Sequence, residues 1–239
     1  MAAIDLRAPQ KTAPDGGRAQ LLKLDPELGR GLAPDEFQVA REQLPVVAGM
    51  LQPGPWNAPT HPPDGAEFGL LVTRGALTRD VTIDRARTVE LLGKGALIRP
   101  WQDDATSFCK SSWRVLEPTS VVILSDAVVA ALSRWPAAAA ALAERAIERS
   151  RGLAAQDAIG HLVGVEKRVL MTLWMTAERW GRMTPTGVVV DAPLTHALIA
   201  EMAGASRPYV TKGIVKLTAS GEISRRSDGR FILHGESPG

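Results

Sequence analysis

Arg207, Tyr209, Thr211 and Lys212 head a run in which Val210, Ile214, Val215 and Leu217 recur at helical spacing. A planar guanidinium such as that of Arg207 matches O6 and N7 of guanine in a DNA major groove. Thr211 offers a short polar or methyl contact, Lys212 bonds a base or a phosphate, and Tyr209 reaches the same surface. Lys216, nearer the far end, is expected to touch phosphate, with Val210, Ile214 and Leu217 underneath in a core. Ser206 precedes the run as an N-cap, and Pro208 falls in the first turn, where its missing N–H costs nothing. Upstream, Leu194, Leu198, Ile199 and Met202 form a second helical stripe, and Gly204-Ala205 supplies a tight turn between the two. This is the pattern of a helix-turn-helix. Thr195, at the start of the supporting helix, is expected to donate to phosphate. His196 either joins it or is an isolated surface histidine.

Beyond Gly221, two beta-like segments containing Arg225-Arg226 and Arg230-Phe231-Ile232-Leu233 flank Ser227-Asp228-Gly229. Asp-Gly at such a reversal signals a hairpin, here a wing. Arg225 and Arg226 at its edge either add charge-dependent affinity for DNA or merely solvate the tip. The net charge of the chain is only +2, but Arg207, Lys212, Lys216, Arg225, Arg226 and Arg230 outweigh Glu201, Glu222 and Asp228 in this stretch. A local basic surface tracks phosphates even on a nearly neutral protein. Glu166 to Trp180 reads as an amphipathic helix burying Val169, Leu170, Leu173, Trp174 and Ala177. Gly181-Arg182 and Pro185-Thr186-Gly187 read as loop, and Val188 to Val190 as a short strand, so residues 165–239 suffice for a winged-helix domain.

These elements must be held by the rest of the chain. From Leu44 to Ser125, short apolar runs are divided by Gly, Pro and Asp, which suggests an antiparallel sandwich, barrel or jelly roll over residues 32–135. Its inner faces are expected to carry Val46, Leu70, Val72, Leu77, Val81, Leu91 and Val122. Arg99-Pro100-Trp101-Gln102-Asp103-Asp104 is its most distinctive patch. Arg99, Trp101, Asp103 and Asp104 form either an effector-facing wall for signal transmission or a structural patch. In the structural reading, Trp101 packs at the barrel-helix junction and Arg99 pairs with an acidic neighbour. Asp126 to Trp135 reads as a short helix, and Pro136 opens a long one over residues 136–164 that ends in a Gly160 to Gly164 hinge. Leu142, Ala146, Arg149, Leu153 and Gln156 fall at nearly heptad spacing. That stripe either covers the barrel or packs against a second copy, which would align two readers. Met1 to Gly31, rich in Asp, Arg, Gly and Pro, reads as a flexible arm. The whole is an α+β chain.

Other chemistries find little support. Cys109 is the only cysteine, which excludes an internal disulfide and a cluster or zinc site built from several cysteines. His61 is the only histidine before His161, short of the histidine-carboxylate set a metal-dependent jelly-roll enzyme needs. No Walker-type loop is present. The expectation is no enzyme, no catalytic residues, no metal and no cofactor. No apolar run is long enough to span a membrane and the opening residues lack a signal-peptide pattern, so a cytoplasmic protein is expected.

From Leu44 to Leu233 the sequence resembles the Crp/Fnr superfamily of bacterial transcription regulators. Ala205-Ser206-Arg207 and Val210-Thr211-Lys212 carry the likeness in the reader, and Leu91-Leu92-Gly93-Lys94-Gly95 followed by Leu97 carries it in the barrel. The resemblance implies a cyclic-nucleotide-binding-like jelly roll, a dimerisation helix and a C-terminal winged helix-turn-helix. It implies a homodimer on inverted-repeat double-stranded DNA, with RNA polymerase as a further partner. Arg207 and Lys212 match base-reading positions, and Ser206 and Thr195 match backbone contacts. Pro208 stands where members that read a GTGA-type half-site carry glutamate, so a different target is expected. The sensor segment departs further: the Gly-Glu and Arg-Ser/Thr-Ala elements of a cyclic-nucleotide cassette are missing, and Asp103 and Asp104 disfavour a phosphate. Cyclic AMP is not expected to bind tightly. A jelly roll sensing another small molecule, a protein partner, effector-independent binding, and a winged-helix adaptor for an acidic protein surface stay open.

Overall fold

The computed structural model describes residues 17–102 and 108–237. Contacts divide it into two compact units, the described part of Met1–Asp84 with Leu91–Arg149, and Arg85–Glu90 with the described part of Ser150–Gly239. In chain order the first part runs β1 (Arg18–Gln20), α1 (Leu21–Leu24), a 3-10 turn at Pro26–Gly29 and α2 (Pro34–Gln43). It continues through β2 (Pro45–Leu51), β3 (Gly54–Trp56), β4 (Gly69–Arg74), β5 (Ala76–Ile83), β6 (Ala86–Gly93), β7 (Leu97–Ile98), β8 (Cys109–Val115) and β9 (Thr119–Leu124). The helices α3 (Asp126–Leu132) and α4 (Pro136–Gly160) follow. The strands form two antiparallel sheets, ordered β1-β2-β9-β4-β7 and β3-β8-β5-β6. The β4–β5 turn needs Gly75: its φ is +89°, and a Cβ there would lie 2.6 Å from the Pro118 carbonyl.

Side-chain alternation gives the first sheet two buried faces. Leu70 and Val72 of β4 join Leu77, Leu92, Trp113 and Val121 between the sheets. Leu71 of β4, with Val46 and Val122, turns the other way onto a cluster containing Leu132 and Ala138. The inner-face expectation therefore needs correction, because Val46 and Val122 lie behind the sheet rather than inside the barrel. Val81 is only half-buried, whereas the polar Thr78 and Asp80 of the same strand are buried along with Ala76 and Leu77.

The flexible-arm expectation is also corrected for the described part of the arm, while residues 1–16 lie outside the described residues. Leu21, Leu22 and Leu28 are fully buried in the cluster behind the sheet, beside Leu142 of α4. Leu21 N–H donates to the Leu44 carbonyl at 2.8 Å, and buried Asp25 takes both its oxygens to the Arg145 guanidinium. A Leu-Leu-Lys-Leu segment supplies enough apolar surface to dock despite its polar surroundings.

The stripe assigned to dimerisation on α4 is largely occupied by the chain itself. Leu142 is buried in the core, Arg149 donates to the Leu97 carbonyl at 3.1 Å, and Gln156 donates to the Val89 carbonyl at 2.7 Å. Ala146 and Leu153 remain exposed, joined by Ile147. The outward apolar residues are thus two members of the expected stripe and the neighbouring Ile147.

The terminal domain runs α5 (Val165–Trp180), β10 (Gly181–Thr184), β11 (Gly187–Val190), α6 (His196–Met202), α7 (Arg207–Ala219), β12 (Ile223–Arg225) and β13 (Phe231–Leu233). Its antiparallel sheet has the order β10-β11-β13-β12. Gly181-Arg182, read as loop, is strand: Gly181 pairs with Val190 and Arg182 with Val189. The reversal is closed by the Thr184 hydroxyl, which donates to the Gly187 carbonyl at 2.7 Å. On α5, Leu170 is half-buried, whereas Thr172 and Thr176 are buried. The Thr176 hydroxyl is satisfied within the helix by the Thr172 carbonyl at 2.7 Å.

Candidate nucleic-acid interface

The supporting helix α6 starts at Thr195, whose hydroxyl oxygen accepts from the Leu198 N–H at 3.1 Å. That cap uses the oxygen as acceptor and leaves its exposed O–H to donate elsewhere. At the other end Gly204 takes φ +58°, and Ala205 N–H reaches back to the Ala200 carbonyl at 3.0 Å. This left-handed closure sets the turn into α7. Arg168 of α5 donates to the Gly204 carbonyl at 2.9 Å and braces it.

Ser206 occupies the cap position of α7 with extended backbone, but its exposed hydroxyl makes no cap hydrogen bond. Val210, Gly213, Ile214 and Leu217 form the buried underside. Arg207, Pro208, Tyr209 and Lys212 are exposed at the opening turns. The Lys212 ammonium lies 5.9 Å from the Tyr209 ring centroid, a cation-π geometry that restrains both. Thr211 is half-buried because its hydroxyl lies 3.1 Å from His196 Nδ1. Val215, which recurs in the same apolar run, is exposed.

His196 is therefore no isolated surface histidine. Burial, then the charges of Arg225 and Arg207, hold its imidazole below its usual range. It is the neutral centre of a basic surface built from α6, α7 and the wing. Lys216 is exposed and has an acidic partner in its own domain. Gly213 of α7 faces Glu166 of α5, and the Lys216 ammonium bonds Glu166 Oε1 at 2.6 Å. This bond holds the Glu166 carboxyl below the ordinary carboxylate range.

In the wing, Arg225 is exposed with its guanidinium 4.7 Å from the ring centroid of buried Phe231. Arg226 lies 3.4 Å from Asp228, and Arg230 lies 3.1 Å from Asp191. Arg226 is thus partly neutralised at the tip, while Arg225 is oriented by an aromatic face. Sequence reasoning missed His234. Its Nδ1 lies 2.9 Å from the Thr186 carbonyl, which can only accept, so Nδ1 carries the proton. Nε2 then accepts from the Ser224 hydroxyl at 2.8 Å, tying β12 to the β10–β11 turn.

In the jelly roll, Arg99 donates through Nε to the Phe68 carbonyl, and its guanidinium lies 5.1 Å from the Phe68 ring centroid. Its Nη1 reaches Gln102 Oε1 at 3.4 Å. Among the described residues, Arg99 thus meets a carbonyl, a ring and an amide. Half-buried Trp101 packs on the cluster between the sheets rather than at a helix junction. Asp103 and Asp104 lie outside the described residues. Trp56 and Trp113 meet edge to face inside the roll, with centroids 5.6 Å apart.

Residues 167–236 match the family described as the Crp-like helix-turn-helix domain. Solved structures extend the likeness to the whole fold. The cyclic nucleotide-binding domain containing protein from Listeria monocytogenes EGD-e superposes with a TM-score of 0.66 at 14% identity, over 88% of this chain and 97% of that one. FixK2 from Bradyrhizobium japonicum gives a TM-score of 0.59 at 15% identity, over 80% and 93%. A CRP/FNR family transcriptional regulator from Thermus thermophilus, TTHA1359, gives 0.50 at 18% identity, over 79% and 93%. No curated protein sequence matches the chain.

Proposed function

We propose that this chain, which has the fold of Crp/Fnr regulators and a Crp-like helix-turn-helix domain at residues 167–236, is a homodimeric transcription regulator that reads inverted-repeat double-stranded DNA through α7. The observation that carries this reading is Arg207, exposed at the first position of a helix anchored from beneath by Val210, Ile214 and Leu217. A helix start so presented offers a guanidinium to base edges and backbone N–H groups to phosphate. Lys212 and Tyr209 flank it, the Ser206 and Thr195 hydroxyls supply phosphate donors, and Arg225 and Arg226 add charge from the wing. His196 contributes by holding Thr211. The protein acts in the cytoplasm and without catalysis, and by family analogy alone it contacts RNA polymerase.

Pairing uses the free strip of α4, where Ile147 is 46% and Leu153 41% exposed beside Ala146. Small residues on that strip let two helices approach closely. The jelly roll lacks the residues of a cyclic-nucleotide cassette, and the Trp56–Trp113 pair occupies its interior, so control passes through another effector or none. Recovery and sequencing of genomic fragments bound by the purified full-length protein tests the reading directly. Enrichment of an inverted repeat is expected, and sedimentation should show a dimer that Ile147→Glu converts to monomer. Fragments with no shared sequence would overturn sequence-specific regulation.

A further inference from the structure

The buried residues Val210, Gly213, Ile214 and Leu217 fix which side of α7 faces the core. At roughly 100° per residue, the opposite side is centred on positions 208, 212 and 215. These are Pro208, Lys212 and Val215, all exposed. Two of these three outward positions therefore carry no side-chain hydrogen-bonding group. A lone exposed valine is ordinary on a protein surface. Val215 is 63% exposed, one turn beyond Thr211 and Lys212, on the side of α7 opposite its buried residues. Its β-branch holds two methyl groups in a restricted rotamer, which suits a fixed apolar contact. The Thr211 hydroxyl alongside is engaged by His196, which adds to the apolar character of this part of the face.

A major groove presents one prominent apolar group to such a surface, the C5 methyl of thymine. We propose that Val215 reads a thymine methyl in each half-site, so that target choice combines hydrogen bonding from the first turn of α7 with an apolar contact from its third. The inference rests on the DNA-reading function proposed above and adds a specificity-determining residue to it.

The test uses the full-length protein and its selected site, with each thymine replaced in turn by deoxyuridine. That change removes the methyl group and keeps every hydrogen-bonding atom. Wild-type binding should weaken about four-fold at one thymine per half-site, the worth of one buried methyl group. The same replacement should be neutral for Val215→Ala, whose exposed position leaves folding intact by circular dichroism. Uniform indifference to deoxyuridine, or a penalty that survives in Val215→Ala, overturns the role of Val215 while leaving DNA reading in place. Failure to select any site overturns both.

Discussion

His196 Nδ1 and the Thr211 hydroxyl, 3.1 Å apart, join the supporting helix to the recognition helix by a side-chain hydrogen bond. A neutral imidazole serves this bond in either tautomer, accepting from the hydroxyl or donating to it, and burial beside Arg225 and Arg207 favours the neutral form. The folded state holds His196 below the 6.5 of an ordinary histidine, so the unfolded chain protonates first as pH falls. The stability from this site is therefore complete above about pH 6.5 and is lost as pH drops through the lower folded value. Thermal unfolding followed from about pH 8 to about pH 5 should show a falling Tm. His196→Gln should flatten that acid-side loss, and an unchanged profile would contradict a neutral His196 in the folded state.

Asp25 has no exposed surface, and Arg145, its bidentate partner on α4, is 12% exposed at the side chain. Asp25→Ala leaves a buried cation and should cost about 3–5 kcal/mol in chemical denaturation. Asp25→Leu combined with Arg145→Met should recover most of that loss, because an apolar pair needs no compensating charge. A loss equal to that of an exposed ion pair would show that the amino-terminal segment does not lock α4.

The helix-turn-helix was legible because its signals are local. The spacing of Val210, Ile214 and Leu217, the Gly204 turn and the Asp228-Gly229 reversal are read from neighbouring residues, and each has its structural counterpart. What escaped depends on distant partners. Nothing near Lys216 in the chain announces Glu166, nothing near Arg99 announces the Phe68 carbonyl, and Asp25 meets Arg145 across a separation of 120 residues. Val215 shows a further limit: it adjoins buried Ile214 yet is exposed, and periodicity alone does not say where a narrow apolar stripe stops.

The Lys216–Glu166 bond at 2.6 Å keeps one cation of the reader neutralised by its own domain. Glu166→Gln should release it, raising affinity for DNA of any sequence and steepening the salt dependence by about one unit of slope. Fold stability should change little, since the pair lies at the surface. Filter binding across a salt series would read both quantities. No change in slope would mean that Lys216 does not reach phosphate even when free.

Gly204 closes α6 with φ +58° and has room around it, the nearest atom to an added Cβ being an Arg168 nitrogen at 4.0 Å. The penalty for Gly204→Ala is thus conformational, about 1–2 kcal/mol of stability by urea unfolding. A cost near zero would show that the turn relaxes without its left-handed residue.

The proposed function requires Arg207 to read bases while Arg225 only supplies charge. Equilibrium binding of wild type, Arg207→Ala and Arg225→Ala to the selected site and to every single-base variant of it separates the two roles. Arg207→Ala should lose about 1–3 kcal/mol on the preferred site and become indifferent at one base pair of each half-site. Arg225→Ala should weaken all the DNAs alike and lower the salt slope by about one. An Arg207→Ala protein with wild-type affinity and wild-type preference would contradict base reading by Arg207.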